Sequence, residues 1–357
     1  MDKTIFTLTK ELISIPSDAG NPEQLIEVLE LAKKYLPEYE FTPYASNGVP
    51  SLLYSNTGKD NQNFKIILSA HLDVVPAEKS QFLPEEKEGK IWGRGAKDMK
   101  GSAAVMILLF KELGKTLPYS LGLQLTTDEE IGGENGVKHQ LGKGVRSEFA
   151  IIGESTDFRL IHETKAVLNI KLTSKGKSAH SAYPWLGKNA VWKMYEALDS
   201  IIQAYPIPEE ETAETTVTIS KIDTDNNAHN IVPQHCEAYL NVRYTNNEIE
   251  TIVPKLQALI PPDIQFEILN KDVPQYSDPN GFYFTHLRDC SEKILQTEVS
   301  IAKAHGASDG RYFSELGLDV VEFGPVGHGH HGADEWVYTK SLEHYYMILK
   351  TFLLSIK

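Results

Sequence analysis

Apolar residues near the start of the chain, Ile5, Leu8, Leu12 and Ile13, recur at helical spacing, and residues 24–35 repeat the pattern as a second amphipathic helix. The period then changes. Short apolar runs at 64–70, 121–127, 149–152 and 319–323 are separated by helical stretches such as 101–113. Runs of this length read as parallel strands buried on both faces of an α/β sheet. Each run ends on reactive side chains: His71-Leu72-Asp73, then Asp128-Glu129-Glu130, then Gly153-Glu154, and shortly after the last run His328, His330 and His331. Open α/β sheets bind ligands beyond the carboxyl ends of their strands. The pattern therefore delivers His, Asp and Glu to one edge of one sheet.

Between about residues 166 and 275 the organisation differs. Strands are expected at 167–174, 215–223, 236–245 and 264–269, with helices at 189–205 and, despite Pro254, at 247–259. The order βαββαβ is that of a ferredoxin-like α+β unit. The expected architecture is an α/β catalytic domain with a mostly parallel central sheet, residues 1–165 and 275–357, interrupted by an inserted domain at 166–274. An amphipathic helix at 341–354 ends the chain.

Composition narrows the function. The 357 residues include 35 Lys and Arg against 49 Asp and Glu, a net charge of −14, which argues against nucleic acid and anionic membranes as partners. The longest apolar run, 103–110, is far short of the ~20 residues that a membrane helix needs. No apolar stretch near the N-terminus resembles a secretory signal. Two cysteines, Cys236 and Cys290, suit a reducing compartment, so a cytoplasmic location is expected.

Taken singly, the reactive residues have ordinary explanations. His71 and Asp73 read singly as a solvent-exposed strand-end pair, although residues i and i+2 face the same way and the acid could hold the imidazole in one tautomer, as beside a metal. Asp98, in a glycine-punctuated loop before a helix, reads as a helix-start acid. Neighbouring carboxylates such as Glu129 and Glu130 repel one another in a partly buried site unless a cation neutralises them. Jointly, imidazoles and carboxylates converging from separate strands point to a metal. Nitrogen and oxygen donors without thiolate suit catalytic zinc, or cobalt or manganese, and are numerous enough for two ions sharing a carboxylate.

Two motif matches compete. Gly327-x-Gly329-x-x-Gly332 satisfies the dinucleotide fingerprint, but too few residues follow to complete a βαβ unit. Gly306-Ala-Ser308-Asp-Gly310 satisfies the serine-hydrolase elbow, with Glu322 and His328 as triad partners, yet it leaves the other acids without a task. The serine hydrolase stays as a distant alternative, and a non-catalytic metal-binding protein as another.

The segments Ser-Ala-His71-Leu-Asp73-Val-Val-Pro, Trp-Gly-Arg-Gly-Ala-Lys-Asp98-Met-Lys-Gly, Thr-Thr-Asp-Glu129-Glu130-Ile-Gly-Gly, Gly-Glu154-Ser-Thr and His331-Gly-Ala-Asp-Glu335 together resemble the dinuclear zinc amidohydrolases of the acetylornithine deacetylase and succinyl-diaminopimelate desuccinylase family. Carboxypeptidase G, aminoacylase and several dipeptidases are relatives. The resemblance covers nearly the whole chain and implies a zinc-peptidase-like catalytic domain. By position it implies that His71 and Glu154 hold one zinc, Glu130 and His331 the other, and that Asp98 bridges them. Glu129 would be the general base and Asp73 would orient His71, while His328 and His330 keep structural or supporting roles.

In the inserted domain, Gly176-Lys-Ser-Ala-His180-Ser-Ala-Tyr-Pro184 is similar to the family's dimerisation motif, which implies a homodimer and an oxyanion-stabilising role for His180. His229-Asn230 resembles a substrate-contacting turn. Arg243, and Ser308 with Arg311 in Ser308-Asp-Gly-Arg311, are candidate substrate contacts, the arginines by gripping a carboxylate. The implied reaction is hydrolysis of a linear amide: Glu129 takes a proton from metal-activated water and passes it to the departing amine. The implied substrate is an N-acyl amino acid, with a dipeptide as the alternative. Residues 162–167 lack the arginine and Gly-Ser usual in desuccinylases, which leaves the acyl group open.

Overall fold

The computed structural model describes residues 2–356. The chain forms two compact units, one of Met1–His162, Tyr276–Ala302 and Ser308–Lys357, the other of Glu163–Gln275 and Lys303–Ala307.

In chain order, helices α1 (Asp2–Ile13) and α2 (Pro22–Tyr35) precede strands β1 (Phe41–Ser46), β2 (Val49–Ser55) and β3 (Asn63–His71). Helix α3 (Gly101–Leu113) leads to β4 (Leu121–Thr126), β5 (Arg146–Ile152) and β6 (Leu160–Thr164). The second unit follows with β7 (Ala166–Lys175), α4 (Ala190–Ala204), β8 (Thr216–Asp223), β9 (His235–Tyr244), α5 (Ile252–Ala258) and β10 (Ile264–Lys271). Then come α6 (Phe282–Leu295), β11 (Ile301–Ala304), α7 (Gly310–Glu315), β12 (Asp319–Glu322) and α8 (Thr339–Ser355).

The main sheet has the order β1-β2-β4-β3-β5-β12-β6-β11. Its central four, β4, β3, β5 and β12, are mutually parallel, and antiparallel strands flank them. These four are the apolar runs that end on His, Asp and Glu. Burial explains their composition: every residue of β4 is buried, as are the last four of β5. Helix α3 is apolar nearly all round because ten of its thirteen residues are buried, which marks a helix packed on several sides. Its Phe110 ring lies 4.8 Å from that of Tyr39 and 6.0 Å from that of Tyr54.

The second unit is a four-stranded antiparallel sheet of order β8-β9-β7-β10. Burial alternates strictly along β9, so one face carries the core and the other does not. Leu168, Ile170, Leu240 and Val242 from the strands meet Met194, Leu198 and Ile201 from α4 in a core of this unit's own. The expected helix at 247–259 is shorter than its pattern suggested. A single turn at Asn246–Glu248 is followed by α5, which places Pro254 in the first turn of a helix, where its missing N–H is not needed. Both cysteines are free and buried. Among the described residues no helix is long and apolar enough to cross a membrane.

Phe110→Ala removes a fully buried ring from the layer behind the site. It is expected to cost about 3–5 kcal/mol, read as a lower urea midpoint with an unchanged slope.

Candidate metal centre

Parallel strands bring their C-terminal ends to one edge, and the site is built there. His71 is the last residue of β3, Glu129 and Glu130 follow β4 by three and four residues, and Glu154 lies two beyond β5. Asp98 sits in the tight turn Ala96–Lys100 that feeds α3, and His331 in the loop before α8. Asp73 is not on the strand with His71, as the i, i+2 argument had it, because β3 stops at His71. The loop beyond nonetheless returns Asp73 to the ring: His71 Nδ1 is 3.0 Å from the Asp73 carbonyl and 3.5 Å from its Oδ1. A proton on Nδ1 donated to that carbonyl leaves the Nε2 lone pair facing the cluster.

Asp98 stands between two groups of ligands. On one side, His71 Nε2 lies 3.1 Å from Asp98 Oδ1 and 3.5 Å from Glu154 Oε1. On the other, Asp98 Oδ2 is 3.2 Å from His331 Nε2, which is 3.0 Å from Glu130 Oε2. His330 Nδ1 is also 3.1 Å from Asp98 Oδ2, its ring stacked 4.0 Å from that of His331. The donor atoms of His71, Asp98 and Glu154, and those of Asp98, His330 and His331, each lie within 4.8 Å of one another.

The residues fit divalent ions on their own evidence. Glu130 Oε1 is buried with no hydrogen-bond partner, an orphan that an ion would satisfy. Burial pushes Glu129 and Glu154 up, and Glu130 up to about 7, with the Asp98 charge adding to the effect. Burial alone would raise Asp98 too, but the imidazoles of His331 and His71 hold it below the usual carboxylate range. Crowded acids of this kind require positive charge.

A buried frame joins two of the loops. Glu335 Oε1 accepts from the backbone N–H of Lys97 at 2.9 Å and of Asp98 at 3.1 Å, and its Oε2 from that of Gly95 at 3.0 Å. Arg94 donates to Glu335 Oε2 at 2.6 Å and to the carbonyls of His331 and Gly332 at 3.0 Å. Arg94 and Glu335 thus tie the backbone of Asp98 to that of His331. Both residues lie inside the sequence motifs, where nothing marks them as partners, and no periodicity shows the approach of His330 to Asp98.

The serine triad does not form. Ser308 Oγ donates directly to Glu322, where a triad would interpose an imidazole, and His328 faces Asp334 at 3.4 Å and stacks on Trp336. Arg311 donates to the carbonyls of Gly132 at 2.6 Å and Ser308 at 3.3 Å. The remaining expected residues belong to the second unit. There exposed His180 lies on a two-residue strand paired with Ile231, the N–H of Ser181 donates to the Asn230 carbonyl at 2.8 Å, and His229 is exposed. Half-buried Arg243 on β9 donates to Asn241 Oδ1 at 3.2 Å.

Parallel strands ending in a carboxylate-bridged pair of imidazole–acid groups define a metal-dependent hydrolase. The family model described as peptidase family M20/M25/M40 matches residues 67–355, and the chain belongs to that family of metal-dependent amidohydrolases. It is 27% identical over 372 residues to a succinyl-diaminopimelate desuccinylase of Janthinobacterium sp. (strain Marseille), covering 96% of each chain. Its fold is similar to that of aminopeptidase PepT from Bacillus cereus, at TM-score 0.81 and 17% identity, with 99% of this chain and 98% of that one covered. It is also similar to YXEP of Bacillus subtilis, a dinuclear metal-binding peptidase of the M20 family, at TM-score 0.74 and 13% identity, covering 99% and 97%.

Without metal, the site couples folding to pH. Glu130 and Asp309 move up to about 7, mainly by burial, and the bond to Asp98 helps to raise His331. Burial would lower His71, but Asp73, Asp98 and Glu154 outweigh it and raise it. A group whose pKa is higher folded than unfolded binds more protons when folded, so its contribution is full below the unfolded value and is lost as pH rises through the folded one. His330, His344 and Lys100, the last lowered to about 7, are all lowered mainly by burial and oppose this in part. Chelated protein is expected to melt at a higher temperature at about pH 5.5 than at about pH 7.5, and saturating zinc to abolish the difference. Melting temperatures in chelator that rise with pH over this window would contradict the reading.

Proposed function

We propose that the chain hydrolyses the linear amide of an N-acyl amino acid, with one divalent ion held by His71, Asp98 and Glu154 and a second by Asp98, Glu130 and His331. Zinc suits the donor set best, with cobalt or manganese as substitutes. The observation that carries the reading is Asp98, whose two oxygens face separate imidazole–acid groups. The curated relative supports acyl removal, and the likeness to an aminopeptidase fold keeps short peptides as the second reading.

Ions bound in these two groups supply the positive charge that polarises an amide carbonyl and acidifies water. Glu129 does the proton work. It takes a proton from the attacking water as the new C–O bond forms, and gives it to the nitrogen as the C–N bond breaks. Burial lifts Glu129 well above an ordinary glutamate, which makes its carboxylate a stronger base. Asp73 holds His71 through Nδ1 and also accepts the N–H of Glu130 at 3.0 Å. Asp73 thereby orients a residue of each proposed ion group, His71 through its backbone carbonyl and Glu130 through its carboxylate.

To His180 we assign stabilisation of the developing oxyanion, and to His229, Asn230 and Arg243 contacts to substrate. We further propose that the second unit mediates a homodimer. Trp185, Trp192 and Tyr195 are 73%, 66% and 60% exposed on and just before α4, an apolar face of the kind that marks an interface.

Turnover of N-acetyl and N-succinyl amino acids, dipeptides and tripeptides by zinc-loaded protein, against a chelated control, tests the reaction. Glu129→Gln is expected to lower kcat by at least about 10³-fold with zinc content unchanged. Asp98→Ala is expected to lose both ions after dialysis, whereas Glu154→Ala loses one. Full activity in Glu129→Gln, or two ions retained by Asp98→Ala, would contradict these assignments.

A further inference from the structure

The turn that carries Glu129 and Glu130 ends on two successive glycines in the left-handed region, Gly132 at φ +112° and Gly133 at φ +68°. Glycine pairs of this kind hold a shape weakly on their own. Contacts from the start of α7 hold this one. The Gly132 carbonyl accepts from Arg311 Nη2 at 2.6 Å and from the Tyr312 hydroxyl, so both of its lone pairs are engaged. The Gly132 N–H in turn donates to the Glu129 carbonyl at 2.8 Å. At the next residue, a Cβ on Gly133 would lie 1.9 Å from Asp309 Oδ1 and 3.1 Å from Tyr312 Cε2, so α7 packs directly on bare backbone.

The clamp has its own anchor. Ser308 Oγ donates to Glu322 on β12 and accepts from the Gly310 N–H at 3.2 Å. Phe313 is wholly buried. Arg311 lies 4.6 Å over the Tyr312 ring and donates through Nη1 to the Ser308 carbonyl at 3.3 Å. Contacts therefore run unbroken from the sheet, through residues 308–313, to the backbone of Glu129.

We propose that Arg311 and Tyr312 are positioning residues, which fix Glu129 by gripping the Gly132 carbonyl and so set turnover without touching substrate. The inference rests on Glu129 being the base. It reassigns Arg311, whose sequence context suggested a grip on the substrate carboxylate. A guanidinium bonded to two backbone carbonyls and stacked on a phenol ring is already engaged.

Two measurements on zinc-loaded, full-length protein test the proposal, using Tyr312→Phe, Arg311→Met and the double variant. In hydrogen exchange, amides of residues 128–136 are expected to exchange about tenfold faster in the double variant, while those of β3 do not change. In kinetics, kcat is expected to fall up to about 10²-fold with KM and zinc content unchanged. The substrate is the best one in the panel above, and the loss is the same when its terminal carboxylate is replaced by a carboxamide. Arg311→Lys, which keeps a donor, recovers part of the loss. Unchanged exchange in the double variant overturns the clamp, whatever Glu129 does. A defect confined to KM of the carboxylate substrate also overturns the proposal and restores Arg311 as a substrate grip. Full activity in Glu129→Gln removes the base assignment, and the exchange result still judges the clamp.

Discussion

Asp73, Asp98, Glu129, Glu130 and Glu154 gather at one edge of a sheet whose strands are otherwise apolar, and their mutual repulsion is the constraint on which the surrounding structure depends. Several devices hold it in check. His71 and His331 lie against opposite oxygens of Asp98. Arg94 and the backbone N–H groups of Gly95, Lys97 and Asp98 converge on the buried Glu335 carboxylate. Lys100, itself fully buried, donates to the Ile15 carbonyl at 2.7 Å; burial lowers it to about 7, partly offset by the charges of Asp73 and Glu335. What these groups leave uncompensated is the field into which divalent ions fit.

Much of this was legible in the sequence because strand chemistry is local. Four apolar runs with acids or histidines at their ends are sufficient to infer parallel strands and a shared edge, and the sheet order places those four side by side. The βαββαβ pattern of the second unit was equally plain, since β9 alternates in burial throughout and β7 over its first six residues. Pairings across long separations were not legible. Arg94 and Glu335 are 241 residues apart, and nothing in the periodicity of either segment marks them as partners. Local rules also misled where the chain turned. Asp73 keeps its place beside His71 although the strand ends first, and the helix expected across 247–259 divides into a turn at Asn246–Glu248 and α5, with Pro254 in the first turn of α5. The serine elbow was a true match to a pattern, defeated by where the side chains point.

Chemistry and scaffold divide cleanly within the first unit. Side chains at the strand ends face the cluster, and a further ring of residues acts on backbone rather than on reactants. Glu335 reaches Asp98 through its N–H, Arg94 reaches His331 through its carbonyl, and Asp73 reaches Glu130 through its N–H. Backbone anchoring of this kind suits a site whose side chains carry like charge, because it fixes position without drawing on the lone pairs that a metal would use.

Anomalous diffraction at the zinc edge, from crystals soaked with zinc, tests the sharing of Asp98 most directly. Two peaks are expected, one bounded by His71, Asp98 and Glu154, the other by Asp98, Glu130 and His331. A single peak, or two peaks of which one has no contact with Asp98, would contradict the account.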